Sequence, residues 1–232
     1  VSIAKLNFPF EILKQAALLD YHAPLYYLIA HFFTYFNHEW LYLRLFNIII
    51  SVLNVFIFFK IGKEIKNKNL GYLLALFLCV NHLQISVSNF VKFYTLCFFL
   101  VSLTFLKLVK ILKNEANDKK TYLNLGILNA LFIFSATFGV IFVFIEYLFL
   151  LFFKKNNKDE LKKVIKSGII AAIGFILYLP ILIVQSYFAL NNIISPHGAY
   201  QKLDVLVLYE FFNDYFSPLT NCSCNAPTVP AL

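Results

Sequence analysis

The sequence predicts an all-α protein, a polytopic membrane helical bundle with surface-lying helices in its first outer loop. Of its 232 residues, 60% are hydrophobic and only 14% are charged, and the mean hydropathy is +0.74. A soluble domain averages about half apolar and about a quarter charged residues. Apolar stretches alternate with short lysine-rich segments, and several of these stretches approach the length of about 20 residues that a membrane helix needs.

Three lysine clusters set the expected orientation. Fifteen of the 20 Lys and Arg residues fall in them. The clusters are Lys60, Lys63, Lys66 and Lys68, then Lys107, Lys110, Lys113, Lys119 and Lys120, then Lys154, Lys155, Lys158, Lys162, Lys163 and Lys166. Short loops rich in Lys and Arg stay in the cytoplasm, so we expect any chemistry on the outer face. Because the net charge of +8 comes from these loops, it indicates contact with membrane lipid and no nucleic-acid partner.

The clusters divide the chain into three parts. Residues 1–40 form an outer loop with amphipathic helices, residues 41–190 a six-span transmembrane bundle, and residues 191–232 an outer C-terminal segment. The expected spans are Leu41–Phe59, Leu70 to about Ser86, about Val91 to Leu112, two within Thr121–Phe153, and Val164–Leu190. This division leaves Val80–Lys92 as a second outer loop.

The stretch Thr121–Phe153 is expected to be a hairpin. As one helix its 33 residues would reach about 50 Å, against a hydrocarbon core of about 30 Å. A single crossing would also put the third lysine cluster outside. Two short spans that turn near Ser135, Thr137 and Gly139 keep all three clusters on one side.

Polar residues on the first span form one stripe. Arg44, Asn47, Ser51 and Asn54 are spaced by three, four and three residues, which places them on one helix face toward protein or a water-filled groove. Hydrogen bonding between helices is the favoured role of the last three. Arg44, at the outer end, either binds a lipid phosphate with both arms of its guanidinium or reaches out to the interface.

Glu146 lies in the middle of an apolar stretch of Phe, Val and Ile. A carboxyl group inside a membrane is by default a functional candidate. It would carry protons in a transporter and would be structural in a transferase. The structural role is favoured because the other candidate residues point to the outer face.

The first outer loop places an acid and an imidazole directly before a helix. Pro24 opens an expected helix over Leu25–Phe36, preceded by Asp20 and His22. The amino end of a helix favours anions. A phosphate held there would meet free backbone donors and His22.

Three segments resemble the polyprenyl-phosphate-sugar-dependent glycosyltransferases of the GT-C superfamily, which include glycosyltransferase family 39 and the protein mannosyltransferases. Asp20–Tyr27 is similar to the family's Asp-x-His-Pro-Pro-Leu-Tyr-Tyr, and Leu43–Leu45 continues the likeness. Ser88–Tyr94 resembles the family's Ser-Gln-Glu-Ala-Arg-x-Tyr. The departures are Ala23 for the first Pro, Lys92 for Arg and Phe90 for Glu.

The resemblance implies a membrane enzyme that moves a sugar from a polyprenyl-phosphate-linked donor to a glycan, lipid or protein acceptor at the outer face. The candidate site residues are Asp20, a catalytic-site carboxylate that supports the base or binds the acceptor, and His22, Arg44, Lys92 and Tyr94 as substrate-binding groups, with no metal and no cofactor expected. The chain begins at Val1 and contains no Met, so we expect an N-terminal truncation and the family's main base upstream. The expected location is a bacterial inner membrane.

A carrier or flippase for a lipid-linked sugar is the alternative function. It would use Glu146 and the polar stripe in alternating access. Transporters of that kind often contain internal repeats with broken helices in corresponding positions. No such repeat is visible in the sequence, which favours the enzyme.

Overall fold

A computed structural model describes residues 23–34, 40–113 and 118–190. Within these ranges the chain forms helices and no strand, so the all-α class is confirmed. The helices are α1 Leu25–Thr34, α2 Trp40–Ile65, α3 Lys68–Val80, α4 His82–Asn89, α5 Tyr94–Leu112, α6 Lys119–Ser135, α7 Gly139–Lys154 and α8 Lys158–Leu190.

Three helices of the described chain are long and apolar enough to cross a membrane. They contain Leu41–Ile65 in α2, Tyr94–Leu112 in α5 and Lys158–Tyr187 in α8. The pair α3 and α4 would provide a fourth crossing if it is taken as one span bent by 57°. The helices α6 and α7 have 17 and 16 residues, or about 25 Å each at about 1.5 Å per residue. A membrane bundle is therefore shown, and the count of six spans stays a prediction.

The predicted span from Leu70 to about Ser86 stays a prediction, and the structure adds that its helix breaks at Asn81. The backbone of Asn81 leaves the helical region with ψ of 111°. Its side-chain Oδ1 accepts a hydrogen bond from the Gln84 N–H at 3.0 Å and thereby begins α4. A side-chain cap of this kind offers the backbone an alternative to continuing the helix. The segment Val80–Lys92, predicted as a loop, accordingly contains α4.

All three lysine clusters lie at one end of the bundle, termed the basic end. There α2, α5 and α7 end, and α3, α6 and α8 begin. Lys110 Nζ lies 3.1 Å from Glu64 Oε1, which joins the first two clusters. Ile111, Tyr122 and Val164 are buried together and join the second to the third. The helices run further into the clusters than predicted, since Lys is a good helix former and cations stabilise helix carboxyl ends.

The predicted break in the 33-residue apolar stretch is present. Residues 136–138 separate α6 from α7. The Phe132 and Phe142 ring centroids lie 6.4 Å apart next to the turn. Further from it, Leu125 and Leu150 are buried in one cluster. The two helices are therefore antiparallel neighbours, as a hairpin requires.

The helices α6 and α8 pack closely through small residues. A Cβ placed on Gly126 would lie 2.7 Å from the Ser167 carbonyl oxygen, and one placed on Gly174 would lie 2.6 Å from Ala130 Cβ. The contacts advance in the same direction along both helices, so α6 and α8 are parallel. Small residues let helix backbones approach within membranes, where packing drives association.

The helix expected after Pro24 is confirmed as α1, which ends at Thr34. Ala23, which precedes the helix, and Tyr26 and Ala30 within it are buried. The amphipathic helix expected earlier in residues 1–40 and the segment 191–232 lie outside the described residues.

Candidate functional site

The segments that carry the three motifs meet at the end of the bundle opposite the basic end, termed the motif end. Ala23 and Tyr26 of the first segment, Ile50 of α2 and Phe93 of the third belong to one buried core. The helix α2, which bears Arg44, thus packs with both of the other motif segments. These segments are separated by more than 60 residues in sequence, so only the tertiary fold brings them together.

Asn47 joins the three segments through its side-chain amide. It is completely buried in α2. Its Nδ2 donates to the Tyr26 hydroxyl at 3.2 Å and to the Phe90 carbonyl oxygen at 2.7 Å. Both donor hydrogens of the amide are thereby used across chain separations of 21 and 43 residues.

Tyr26 is held as a neutral phenol. Burial raises the pKa of Tyr26 to about 12, and the hydrogen bond from Asn47 lowers it by a smaller amount. The hydroxyl therefore stays protonated at neutral pH. It anchors the first segment to α2 and does not supply a charge to the site.

The next turn of the polar stripe also binds a neighbouring helix. The Gln84 side-chain amide of α4 donates to Ser51 Oγ at 2.8 Å. Asn54, one turn further, is completely buried. Asn47 and Ser51 therefore form the predicted hydrogen bonds to neighbouring segments, whereas the Asn54 side chain has no hydrogen-bond partner within the described ranges. Gln84 was not singled out in the sequence, since nothing in its local pattern indicates that it contacts α2.

Arg44 and Lys92 are close in sequence to the residues of the Asn47 junction. Arg44 is exposed one helical turn before Asn47, and Lys92 is exposed two residues after Phe90. Neither forms an ion pair with a carboxylate within the described ranges. Both cations can therefore take up an anion at the motif end.

Tyr94 is half-exposed at the start of α5 and lies beside Lys92. The Lys92 Nζ is 5.9 Å from the centre of the Tyr94 ring, a distance at which a cation is attracted to the ring face. This contact places the ammonium group near the start of α5. The pair presents a cation and a phenol to the same surface.

The other two predicted site residues, Asp20 and His22, lie outside the described residues. The described ranges contain no group of three or more His, Cys, Asp or Glu side chains placed to hold a metal ion. The observed part of the site is therefore cationic and aromatic: Arg44, Lys92 and Tyr94.

Glu146 lies far from these cations in sequence and faces a different environment. It lines an apolar groove of about 360 Å³ between α5, α6 and α7, together with Thr104 and Phe142. Asn129 of α6 lies beside its carboxyl group. The position fits a contact within the α6–α7 hairpin.

We expect Glu146→Gln to change the activity of the protein by no more than about a factor of two, because the amide keeps the shape and polarity of the side chain beside Asn129. The measurement is the activity of the purified protein in nanodiscs. Glu146→Leu is the companion variant, which removes the polar group. A loss of a hundredfold or so in Glu146→Gln, as expected for an obligatory proton carrier, would contradict the structural role.

The comparison with protein families agrees with the geometry. The family model described as dolichyl-phosphate-mannose-protein mannosyltransferase matches residues 21–184, more than two thirds of the chain. The chain belongs to this family. The match confirms the resemblance seen in the motifs and identifies a membrane glycosyltransferase family. No curated protein and no solved structure matches the chain.

The mannosyltransferase match contains most of the predicted site. His22, Arg44, Lys92 and Tyr94 lie within it, and Asp20 lies one residue before its start. Asn47 also lies within it, although the sequence indicated only a packing role for that residue. Its spacing of three residues from Arg44 was the one available signal.

Proposed function

We propose that the protein transfers a sugar from a polyprenyl-phosphate carrier to an acceptor at the outer face of the membrane. The observation that carries this proposal is the Asn47 amide, which ties Tyr26 of the first motif segment to Phe90 of the third. A site of two exposed cations at that junction suits the phosphate of a lipid-linked donor. Charge-assisted hydrogen bonds to phosphate are among the strongest that side chains make.

In the proposed reaction an acceptor hydroxyl gives its proton to a carboxylate base. The hydroxyl oxygen then forms a bond to the anomeric carbon of the sugar. The bond from that carbon to the phosphate oxygen breaks, and its electron pair remains on the lipid phosphate. Arg44, Lys92 and His22 stabilise this leaving charge, Tyr94 contacts the donor, and Asp20 binds the acceptor beside the base.

The family description names a dolichyl-phosphate-mannose donor and a protein acceptor. We propose only the class, a sugar on a polyprenyl phosphate, with a glycan, lipid or protein acceptor. The lysine clusters support a multi-pass arrangement with the basic end in the cytoplasm, and a bacterial inner membrane is the proposed location. The motif end then faces outward, where a lipid-linked sugar and its acceptor meet.

Transfer from a purified polyprenyl-phosphate sugar by the full-length protein in nanodiscs tests the proposal. We expect Arg44→Gln and Lys92→Gln each to lower kcat/KM about tenfold, since a hydrogen bond to a charged group contributes about 1.5–3 kcal/mol. Arg44→Lys retains the charge and loses the paired donors, so its loss should be smaller but measurable. His22→Gln tests the imidazole.

Lys113→Gln is the matched control, because Lys113 is an exposed cation at the basic end. It should leave transfer unchanged. Equal losses in Lys113→Gln and in the two motif-end variants would mean that general surface charge, and not a phosphate site, explains the effect. Unchanged transfer in all of them would also refute the assignment.

A further inference from the structure

A basic cleft opens between α6 and α8 at the end of the bundle remote from the proposed transfer site. Its volume is about 580 Å³. Four lysines and one aspartate line it, a formal net charge of +3. The lysines are Lys119 from α6 and Lys162, Lys163 and Lys166 from α8.

The cleft follows from how the two parallel helices pack. Gly126 and Ser167 bring the backbones together in the middle. Closer to the basic end, the residue of α6 that faces α8 is the larger Tyr122. Lys163 Nζ lies 5.9 Å from the centre of the Tyr122 ring. Both helices begin at the cleft, so the positive ends of two helix dipoles face the same space.

The ammonium groups of Lys119, Lys162 and Lys166 are the cleft's candidate donors for a ligand. One backbone N–H group at each helix start is capped by a side chain: Asp118 Oδ1 accepts from the Thr121 N–H at 3.3 Å, and Asn157 Oδ1 accepts from the Asp159 N–H at 3.1 Å. The contact of Lys162 with Asp159 is 4.0 Å long and highly exposed, so it holds the ammonium only weakly.

Lys154 belongs to the same sequence cluster but not to the cleft. Its Nζ lies 2.6 Å from Glu160 Oε2, and both side chains are buried. Of the six lysines of the third cluster, Lys154 thus pairs with a carboxylate inside the fold, and three others, Lys162, Lys163 and Lys166, line the cleft.

An apolar wall continues from the lysines along the two helices. Leu123 and Ile170 line the cleft itself. The exposed side chains of Ile127 on α6 and Ile169 on α8 extend the apolar surface toward the middle of the bundle. A ligand that fits both parts has an anionic group at the lysines and apolar chains beside the helices.

We propose that this cleft binds the headgroup phosphate of an anionic phospholipid from the leaflet at the basic end. Clusters of lysines next to a membrane helix attract anionic lipid, and the apolar wall distinguishes a lipid from a free phosphate. The proposal is independent of the sugar-transfer reaction at the motif end.

Lipid retention by the full-length protein tests the proposal. The protein is exchanged into mixed micelles with phosphatidylglycerol or phosphatidylcholine, and bound lipid is counted by native mass spectrometry. Replacing Lys119, Lys162 and Lys166 together with Gln should lower phosphatidylglycerol retention at least about tenfold, since each lysine near an anionic membrane contributes to binding. The same three changes to Arg should retain binding.

The matched control replaces Lys60, Lys63 and Lys113 with Gln. These lysines are exposed at the same end, outside the cleft, and the charge change is identical. The proposal fails if both triple variants lose lipid equally, or if phosphatidylcholine binds as well as phosphatidylglycerol. It also fails if glycerol 3-phosphate at equal concentration displaces the lipid, which would indicate a free-phosphate site. Thermal unfolding of each variant confirms that the fold is retained.

Discussion

Asn47→Asp is expected to lower the free energy of unfolding by about 3 kcal/mol or more and to reduce sugar transfer at least about a hundredfold. The aspartate keeps the shape of the side chain but loses both N–H donors to Tyr26 and Phe90. An unpaired buried polar group costs about 1–3 kcal/mol, and a buried charge costs more. Transfer falls further because small displacements of positioned groups can cost a factor of about a hundred.

One further variant within this hydrogen-bond network and one control outside it test the role of Asn47. Tyr26→Phe removes one hydrogen bond and should cost only about 1 kcal/mol. Asn54→Leu is the matched control, because Asn54 is a buried amide on the same helix whose side chain has no hydrogen-bond partner within the described ranges. It should be neutral or stabilising. If Asn54→Leu damaged transfer as much as Asn47→Asp, the specific role of the Asn47 junction would be disproved.

Gly174→Leu is expected to destabilise the bundle by about 3 kcal/mol or more. A Cβ on Gly174 would already lie 2.6 Å from Ala130 Cβ and 2.9 Å from Ala130 Cα, so a larger side chain must push α6 and α8 apart. Unfolding of the full-length protein in mild detergent, followed by circular dichroism, measures the change.

The reciprocal pair Gly174→Ala with Ala130→Gly tests the cause. It moves the one methyl group to the other helix, so it should recover most of the stability lost in Gly174→Ala alone. Gly168→Ala is the control on the same helix, since its nearest neighbours would be Tyr147 ring carbons at 3.6 Å, an ordinary contact. Additive losses in the pair would mean that the close approach of the two helices is not what Gly174 provides.

Much of the architecture could be predicted because it depends on local length and charge. The break between α6 and α7 follows from a stretch too long for one crossing, and the grouping of the lysines follows from their spacing along the chain. The break at Asn81 could not be predicted, since an asparagine within an apolar run is compatible with a continuous helix. What decides it is a hydrogen bond to Gln84, whose own side chain binds Ser51 on another helix.

The site was accessible to sequence reasoning only in part. Arg44, Lys92 and Tyr94 stand out as cations and an aromatic residue within recognisable motifs. The connection between those motifs is different, because it depends on Asn47 meeting a backbone carbonyl 43 residues away. Every residue has a backbone carbonyl, so the identity of residue 90 does not indicate that it accepts this hydrogen bond. Phe90 also occupies a position where the family has a carboxylate. Long-range contacts of this kind require the folded chain.

The shared cap at Asn81 makes two helices into one cooperative unit. Its backbone N–H donates to the Leu78 carbonyl and its side chain accepts from the Gln84 N–H. Local unfolding at Asn81 therefore breaks a terminal hydrogen bond in both helices. The last turn of α3 and the first turn of α4 cannot fray separately, and the link from Gln84 to Ser51 passes the same constraint to α2. The segment that carries Phe90 and Lys92 follows α4 directly, so its position depends on the hydrogen bonds that join α4 to α3 and α2.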